Sequence, residues 1–478
     1  MFPPLPQEKA AAVLKDLIQS LEEGKIELVQ VARPSEERKN QGVMLGALVC
    51  KNKNGDEVNL VTNSGNAKQF RISSEQLAVS SEQLAVSNYN GTLFASLTRP
   101  SVLGGVVFVG PIVSAGQIEA ALSENDREIH EITKKINNEQ LAMSNEQLKE
   151  LRKQREKLCD ESLSKVHALY KFHCIDGKVR SLKEICGIYN GGKLPPTGTG
   201  DCCAPKLLDY AFSHELIPIS LAETPHSTSH CSPLTANLTP PCDERCGILL
   251  PAMLGLRILY RDEAICVVNK QSGLLSVPGR GEDKQDCIES RFKRLFGDKV
   301  EIAQCAVHRL DLETSGVMIL AFTKETHHKL MQQFEAKTVQ KEYVALLDGV
   351  LAKKGIAQHG QMELFFRLDV ENRPHQIWDA ENGKSAVTEW EILGVERYHA
   401  PDGSTRNATR VLFMPHTGRT HQLRLASADA HGFGVPIIGD TLYGKCDEGE
   451  RLMLHARKVT FTHPVTAEPM TIECNPEF

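Results

Sequence analysis

The chain has 478 residues, which is too many for one hydrophobic core, so two to four domains are expected. Its 41% hydrophobic and 24% charged residues are typical of a folded protein and argue against an intrinsically disordered one. The formal net charge of −6 gives no support to a surface that binds nucleic acid through bulk positive charge, so any RNA binding requires a local basic cleft.

No segment of the sequence has the pattern of a membrane anchor or an export signal. The start, MFPPLPQEKAAAVLKDL, lacks a basic region followed by an apolar run. The most apolar stretch, SVLGGVVFVGPIVSAG, has 16 residues and is interrupted by glycines and a proline, so it is too short to span a bilayer. The 14 cysteines have no compact framework spacing and indicate reduced thiols. We therefore expect a cytoplasmic protein.

Residues 1–114 are predicted to be rich in β-strands. GVMLGALVCKNKNGDEVNLVT contains two β-prone runs around a turn, and the Asn54-Gly55 pair inside it is a strong hairpin signal. The segment SSEQLAV occurs twice in succession, over 73–79 and 80–86. The repeat could pair helices as a heptad, but a duplicated insertion in a surface loop is the favoured interpretation, since long loops tolerate insertions at small cost.

Residues 115–172 are predicted to be helical, with coiled-coil character. Apolar residues recur there mostly at spacings of 3, 4, 5 or 7, with Glu, Lys, Arg and Gln between them. The pattern fits one long helix or a hairpin of two. It could serve as an arm for self-association, as an arm that reaches RNA, or as an internal brace, and the sequence does not discriminate among these.

Residues 173–256 are predicted to form a connector that contains several cysteines. The glycine-rich turn in PPTGTGDCCAPKLLDYAF could present backbone N–H groups to an anion, but it lacks the spacing of a phosphate-binding P-loop. Cys242 and Cys246 have a spacing acceptable for zinc, and Cys202 lies in the same region. Because a second closely spaced pair is absent, buried free thiols are expected and no metal is assigned.

Residues 257–478 are predicted to form an α+β domain on a mixed or antiparallel sheet. LRILYRDEAICVVNKQSGLLSVPGRG is typical of a strand, a turn, a second strand and a loop. Short β-prone runs continue to the C-terminus, and KETHHKLMQQFEA is the clearest helix among them.

A polar cluster centred on Asp311 lies between two apolar runs in AVHRLDLETSGVMILA. Taken alone, Asp311 is best interpreted as a turn or cap residue ahead of Thr and Ser. Motifs of other enzyme classes are missing: the sequence has no HExxH, no GxSxG, and no kinase DFG. A glycosidase-like pair of Asp311 and Glu313 is conceivable, but nothing in the sequence indicates that the two carboxyls differ in environment.

Seven segments in fixed order resemble one enzyme family. They are NKQSGLLSVPGR, VHRLDLETSGVMILA, KEYVAL, GKSAVTEWEIL, TGRTHQLRL, PIIGDTLYG and LHARKVTFTHP. Together they resemble the RluA-type pseudouridine synthases, and SGLLSVPGR resembles the RluA branch in particular. The resemblance covers 257–478, and the preceding half is similar to the extension of longer bacterial members.

The resemblance implies a pseudouridine-synthase fold and an isomerase that moves the base of a uridine from nitrogen to carbon 5. Such a reaction needs an ionised carboxylate but no redox partner, metal or phosphate donor, so no cofactor is expected. Asp311 matches the catalytic aspartate, Arg424 the arginine that pairs with it, and Tyr343 the tyrosine that packs on the flipped base.

The resemblance also implies contacts with structured RNA, ribosomal or transfer RNA being the leading options. Arg309 matches the side chain that fills the vacated place in the RNA, and further contacts are expected from His308, Arg419, His421 and Arg280. Glu313, Thr314 and Ser315 are then expected only to form the turn. The alternative is a catalytically silent RNA-binding or assembly protein with the same fold. The retention of Asp311, Tyr343 and Arg424 argues against it.

Overall fold

The computed structural model describes residues 3–30, 43–65, 68–72, 87–89, 92–94, 101–103, 105–139, 144–226 and 238–478. The chain divides into two compact units, Met1–Gly255 and Leu256–Phe478. Both copies of the SSEQLAV repeat lie outside the described residues. No helix within the described ranges is long and apolar enough to cross a membrane.

The first unit combines helices with short β-sheets. Its helices are α1 (Glu8–Glu22), α2 (Ala115–Glu139), α3 (Asn145–Leu169), α4 (Leu182–Tyr189), α5 (Cys203–Ser213) and α6 (Cys246–Leu254). Its strands are β1 (Ile26–Gln30), β2 (Val43–Lys51), β3 (Glu57–Asn63), β4 (Lys68–Ile72), β5 (Ser87–Tyr89), β6 (Thr92–Phe94), β7 (Ser101–Leu103), β8 (Val106–Phe108), β9 (Lys171–His173), β10 (Val179–Ser181) and β11 (Ile217–His226).

The main sheet of the first unit has the strand order β11-β2-β3-β8-β7. Strands β2 and β3 form the hairpin that Asn54-Gly55 predicts, and Gly55 has the positive φ of 88° that this turn requires. Helix α1 contributes Ala10, Leu14 and Leu17 to the core beside this sheet. The hairpin turn and the amphipathic helix therefore follow from local sequence.

Two helices occupy most of the predicted helical segment. Helices α2 and α3 pack on each other, with Lys165 of α3 paired to Glu124 of α2 and Gln154 bonded to Glu128 at 3.3 Å. Ser144 begins α3 with a capping box, in which its side chain and that of Gln147 satisfy each other's backbone N–H. Of the two alternatives, the structure has the pair of helices; the coiled-coil character and self-association stay predictions.

The second unit is built on one large mixed sheet. Its strands are β12 (Arg257–Arg261), β13 (Ile265–Lys270), β14 (Ser315–Ala321), β15 (Gln340–Leu347), β16 (His359–Leu368), β17 (Gln376–Trp378), β18 (Lys384–His399), β19 (Thr405–Pro415), β20 (Leu454–Thr462) and β21 (Pro469–Glu473). Its helices are α7 (Ile288–Phe296), α8 (Lys324–Glu335) and α9 (Gln422–Ala428), with 3₁₀ turns at Glu282–Lys284, Gly297–Lys299 and Leu351–Lys354.

The strands of this sheet follow the order β12-β13-β14-β20-β15-β19-β18-β16-β17, with β21 also paired to β20. The pair β14 and β20 is parallel, and the other strand pairs are antiparallel. The sheet is therefore mixed, as the sequence predicts for this part of the chain. It brings β14, β15 and β20 side by side at its centre.

Strand β14 starts at a very close approach between two backbones. Gly316 has a φ of +120°, and a Cβ there would lie 2.3 Å from the carbonyl oxygen of Ala456 in β20. The adjacent Ser315 is buried and its hydroxyl lies 2.9 Å from Nδ1 of His455. Ser315 was expected only to form a turn, but it is the first residue of this strand, and it fixes where the Asp311 loop ends.

Candidate active site

A cleft of the second unit collects residues from four separate segments of the chain. Its walls come from the loop before β14, from β15, from the stretch that runs from the end of β19 into α9, and from the start of β20. The lining residues are Arg309, Leu310, Asp311, Thr314, Lys341, Tyr343, Pro415, Thr417, Gly418, Arg419, His421, Gln422, Leu423, Arg424 and Leu454. The structure thus brings together six of the eight predicted site residues, including Asp311, Tyr343 and Arg424.

Asp311 lies in a turn held by backbone hydrogen bonds. The N–H of Thr314 donates to the Asp311 carbonyl at 3.2 Å, and the N–H of Leu310 donates to the hydroxyl of Ser276 at 2.9 Å. The Asp311 carboxylate accepts no hydrogen bond from another described residue and is half-buried in the cleft. Its oxygens therefore remain available to a bound molecule.

Lys270 holds this turn in place through hydrogen bonds of its buried ammonium group. Its side chain is fully buried and donates to the carbonyls of Gln271, Leu274 and Leu312 at 3.1, 2.7 and 2.9 Å. Burial lowers the pKa of Lys270 to about 7, and the negative charge of Asp311 opposes that shift. Lys270 ties two loops of the cleft together, a role that the sequence analysis missed although the residue lies inside the quoted NKQSGLLSVPGR.

Arg424 is buried in α9 between two carboxylates. Its Nε and Nη2 donate to the two oxygens of Asp440 at 2.9 and 2.6 Å, and Nη2 also donates to Glu313 at 2.9 Å. The expectation that Arg424 pairs with Asp311 therefore needs correction, since its hydrogen bonds go to these other two acids. Asp311 still interacts electrostatically with Arg424, and the three carboxylates raise the pKa of the guanidinium against the opposing effect of burial.

Glu313 is an ion-pair partner rather than a simple turn-former. One carboxylate oxygen accepts from Arg424, and the other accepts from the hydroxyl of Thr441 at 2.8 Å. The earlier expectation for Glu313 was wrong because its partners lie more than a hundred positions further along the chain. A local turn signal contains no information about such partners.

Tyr343 projects from β15 at an irregularity of the sheet. The pairing of β15 with β20 shifts register between Glu342 and Tyr343, which redirects side chains at this point. The ring packs against the core of the unit while the residue lines the cleft. Burial and the nearby negative charge of Asp311 raise the pKa of the Tyr343 phenol, so the hydroxyl is neutral at pH 7.

His421 occupies a strained position at the start of α9. Its φ of 54° is unusual for a residue with a side chain. Nδ1 lies 2.7 Å from the hydroxyl of Tyr443, which itself accepts a hydrogen bond from the N–H of Gln376 at 2.7 Å. Tyr443 therefore links His421 to the backbone of β17. Burial lowers the pKa of His421, and Asp311 opposes that shift.

Positive side chains surround the cleft although the whole chain is acidic. Arg309 and Arg419 are exposed at its edge, and Arg419 is oriented by a 3.0 Å hydrogen bond to the carbonyl of Ser385. Lys341 lies deeper and donates to the carbonyl of Thr417 at 3.3 Å, and burial lowers its pKa. With Arg424, these residues form the local basic cleft that the net charge of the chain requires for RNA binding.

The remaining two predicted residues lie outside the cleft lining. His308 accepts a hydrogen bond from the N–H of Ile319 at 3.0 Å and stacks on Phe334, so it anchors the loop to β14 and α8. Arg280 is exposed in the loop after β13. Neither residue lines the cleft: His308 packs against Phe334 and bonds to β14, and Arg280 lies in an exposed loop. Their contacts with RNA stay predictions.

Gln422 organises the loop that contains Arg419 and His421. Its amide nitrogen donates to the carbonyl of Val387 at 3.1 Å and to the hydroxyl of Thr388 at 2.9 Å, and its oxygen accepts from Thr417 and from the N–H of Arg419. The family motifs did not single out Gln422, Lys341 or Asp440 as site residues. Each is a polar residue inside one of the quoted segments, and that position was the available signal.

Known proteins resemble part of this chain. A family model described as RNA pseudouridylate synthase matches residues 264–429. The dual-specificity RNA pseudouridine synthase RluA of Haemophilus ducreyi is 40% identical over 226 residues, which are 47% of this chain and 94% of the relative. The enzyme of that name from Escherichia coli K12 is 39% identical with the same coverage.

Among solved structures, human RNA pseudouridylate synthase domain containing 1 is 27% identical. The match covers 47% of this chain and 84% of the human one, with a TM-score of 0.37. Since relatives of this identity are matched over nearly their whole length, the chain belongs to the RluA-type family of RNA pseudouridine synthases, which are isomerases.

Proposed function

We propose that Asp311 is the catalytic carboxylate with which this chain isomerises specific uridines of ribosomal or transfer RNA. The observation that carries the proposal is that Asp311 is the one acidic residue among those that line the described cleft, where its carboxylate has no protein hydrogen-bond donor. The other two acids nearby, Glu313 and Asp440, are occupied by Arg424.

The chemistry assigned to Asp311 conserves all atoms of the nucleotide except one exchangeable hydrogen. The bond between C1′ and N1 of the uridine breaks, the base turns within the cleft, and C5 bonds to C1′. The hydrogen on C5 leaves as a proton and N1 gains one. Asp311 acts as a nucleophile on the base or the sugar, or stabilises the detached intermediate.

Tyr343 and Arg424 prepare the cleft for this step. The neutral Tyr343 ring supplies a planar surface on which an unstacked uracil can pack. Asp440 and Glu313 fix the position of Arg424, and its positive charge interacts electrostatically with Asp311. Tyr343 and Arg424 shape the site. Asp311 is the residue that acts on the uridine, either as a nucleophile or by stabilising the detached intermediate.

The target nucleotide must leave its helix to reach Asp311. Arg309 is exposed at the edge of the cleft two residues before Asp311, so we assign it to the space that the flipped nucleotide leaves. Arg419, Lys341 and His421 are assigned to the RNA backbone and the base. The RluA relatives are called dual-specificity RNA pseudouridine synthases, which supports more than one RNA class as substrate.

Tritium release from RNA labelled at C5 of uridine tests the proposal. The full chain should release tritium from total RNA of a strain that lacks its gene, and Asp311→Asn should reduce release to background while RNA binding is retained. The matched control is Asp402→Asn, which removes an exposed acid in a turn of the same unit and should keep the wild-type rate. Turnover retained by Asp311→Asn would refute the assignment, and binding without any release by the wild type would favour the silent RNA-binding alternative.

A further inference from the structure

Three cysteines of the first unit come together from two distant parts of the chain. The sulfur atoms of Cys202, Cys242 and Cys246 all lie within 4.8 Å of one another. Each of the three is a free cysteine. All residues that line the cleft belong to the second unit, and none of these cysteines is among them.

The backbone around the cluster favours negatively charged sulfur. Cys202 is the N-cap of α5 and Cys246 is the first residue of α6, so the positive ends of two helices meet at the sulfurs. Three thiolates on a divalent cation carry one net negative charge, which this arrangement compensates.

A tight turn sets the spacing of the second and third cysteines. The N–H of Gly247 donates to the carbonyl of Cys242 at 2.9 Å, so the chain folds back over PCDERCG and presents both sulfurs to the same side. Cys202 reaches that side from the start of α5, and α5 packs on α6. The sequence shows the pair of cysteines in the turn, but it does not show the third ligand.

Exposure and neighbouring contacts define the boundary of the cluster. Cys246 is 2% exposed, Cys202 is half-buried, and Cys242 is exposed, so an ion can enter from the Cys242 side. The adjacent Cys203 is directed elsewhere, because its sulfur lies 3.3 Å from the carbonyl oxygen of Met44. The buried carboxylate of Glu223 accepts from the N–H of Ala204 at 3.0 Å and is not part of the cluster.

We propose that Cys202, Cys242 and Cys246 bind one zinc ion as a structural site of the first unit. With Zn–S distances of about 2.3 Å, tetrahedral geometry places the sulfurs roughly 3.8 Å apart, so the cluster needs only a small contraction. The three thiols lose their protons as the ion binds. The fourth position faces solvent beside Cys242 and takes water or another small ligand. The ion joins the starts of α5 and α6 to the turn between them.

Elemental mass spectrometry tests the proposal. It measures the metal content of the untagged full-length chain, purified without chelator. About one zinc per chain is expected for the wild type and for the control Cys159→Ser, which removes an exposed cysteine of α3. Cys242→Ser, at the exposed edge of the cluster, should lose most of the zinc while circular dichroism shows an intact fold. Zinc retained by Cys242→Ser, or a wild type that binds no zinc even after its addition, would overturn the proposal.

A second measurement covers the case in which the serine variants do not fold. Cobalt added to the reduced wild type should produce the thiolate-to-metal absorption and the strong visible bands of a tetrahedral site, and zinc should displace it. Chelator should lower the melting temperature of the wild type by several degrees. A disulfide between two of these cysteines, detected as a loss of two hydrogens in the intact mass, would contradict the zinc site. Bound iron with the absorption of an iron–sulfur cluster would contradict it as well.

Discussion

At the scale of single residues, the buried positive charge of Arg424 is balanced by two carboxylates. Asp440 is fully buried and accepts two hydrogen bonds from Arg424 and two from the N–H groups of Leu442 and Tyr443. Glu313 meets the same guanidinium but is 25% exposed in its side chain. The two acids therefore differ in what their removal costs: a buried arginine without its counterion is expensive, whereas water can replace a partly exposed partner.

This difference predicts unequal effects of two similar substitutions. Asp440→Asn should lower the free energy of unfolding by roughly 3–5 kcal/mol, because it removes the fully buried, two-bonded counterion of a buried cation. Glu313→Gln keeps one oxygen for Arg424 at a partly exposed position and should lower it by less than about 1 kcal/mol. Urea denaturation of the two variants beside the wild type measures both values. Equal losses would show that Arg424 does not depend on Asp440 as its main counterion.

At the scale of elements, β14 is held in place by two neutral histidines. His308, just before the Asp311 turn, accepts from the N–H of Ile319, and His455 in β20 lies beside the hydroxyl of Ser315 and the carbonyl of Cys474. Burial lowers the pKa of each histidine to about 4. These hydrogen bonds set the position of the strand at which the Asp311 turn ends.

The stability of the chain should therefore depend on pH through this strand. An unfolded histidine has a pKa of about 6.5, so between pH 6.5 and 4 the unfolded chain binds protons that the folded chain does not. The contribution of the two residues is complete above pH 6.5 and is lost as the pH falls toward 4. The slope is up to about 1.4 kcal/mol per pH unit for each histidine.

Denaturation with urea at pH 7 and pH 5 measures this slope. The variants His308→Gln and His455→Gln should each be less stable at pH 7 and should each show a smaller loss between the two pH values than the wild type. The double variant should show the smallest loss. An unchanged loss in the double variant would mean that other groups cause the acid sensitivity.

At the scale of the whole molecule, the chain contains a family enzyme and, in addition, a first unit that its RluA relatives do not match. Relatives matched over 94% of their own length correspond to only 47% of this chain. The second unit, Leu256–Phe478, contains the complete cleft. The first unit has its own core and a pair of packed helices.

The two units should therefore be separable in function. A fragment of residues 256–478 should fold and release tritium from uridine-labelled RNA, because the matched 226 residues make up 94% of an RluA relative. It should lose RNA affinity or choice of site, since the first unit is then missing. Tritium release and filter binding on the natural RNA compare the fragment with the full chain. Equal rates and affinities would show that the first unit does not serve RNA recognition.

The sequence by itself determined the family, the likeness of Asp311, Tyr343 and Arg424 to its site residues, and local features such as the Asn54-Gly55 hairpin. Hairpins and caps depend on neighbouring residues, and the family motifs are ordered along the chain, so both can be found without coordinates. Only the tertiary structure decided that Arg424 bonds to Asp440 and Glu313, that His308 supports β14, that Lys270 holds the Asp311 turn, and that Cys202 joins Cys242 and Cys246. Each of these depends on contacts between segments far apart in the chain, where burial and charge compensation select partners that sequence spacing does not encode.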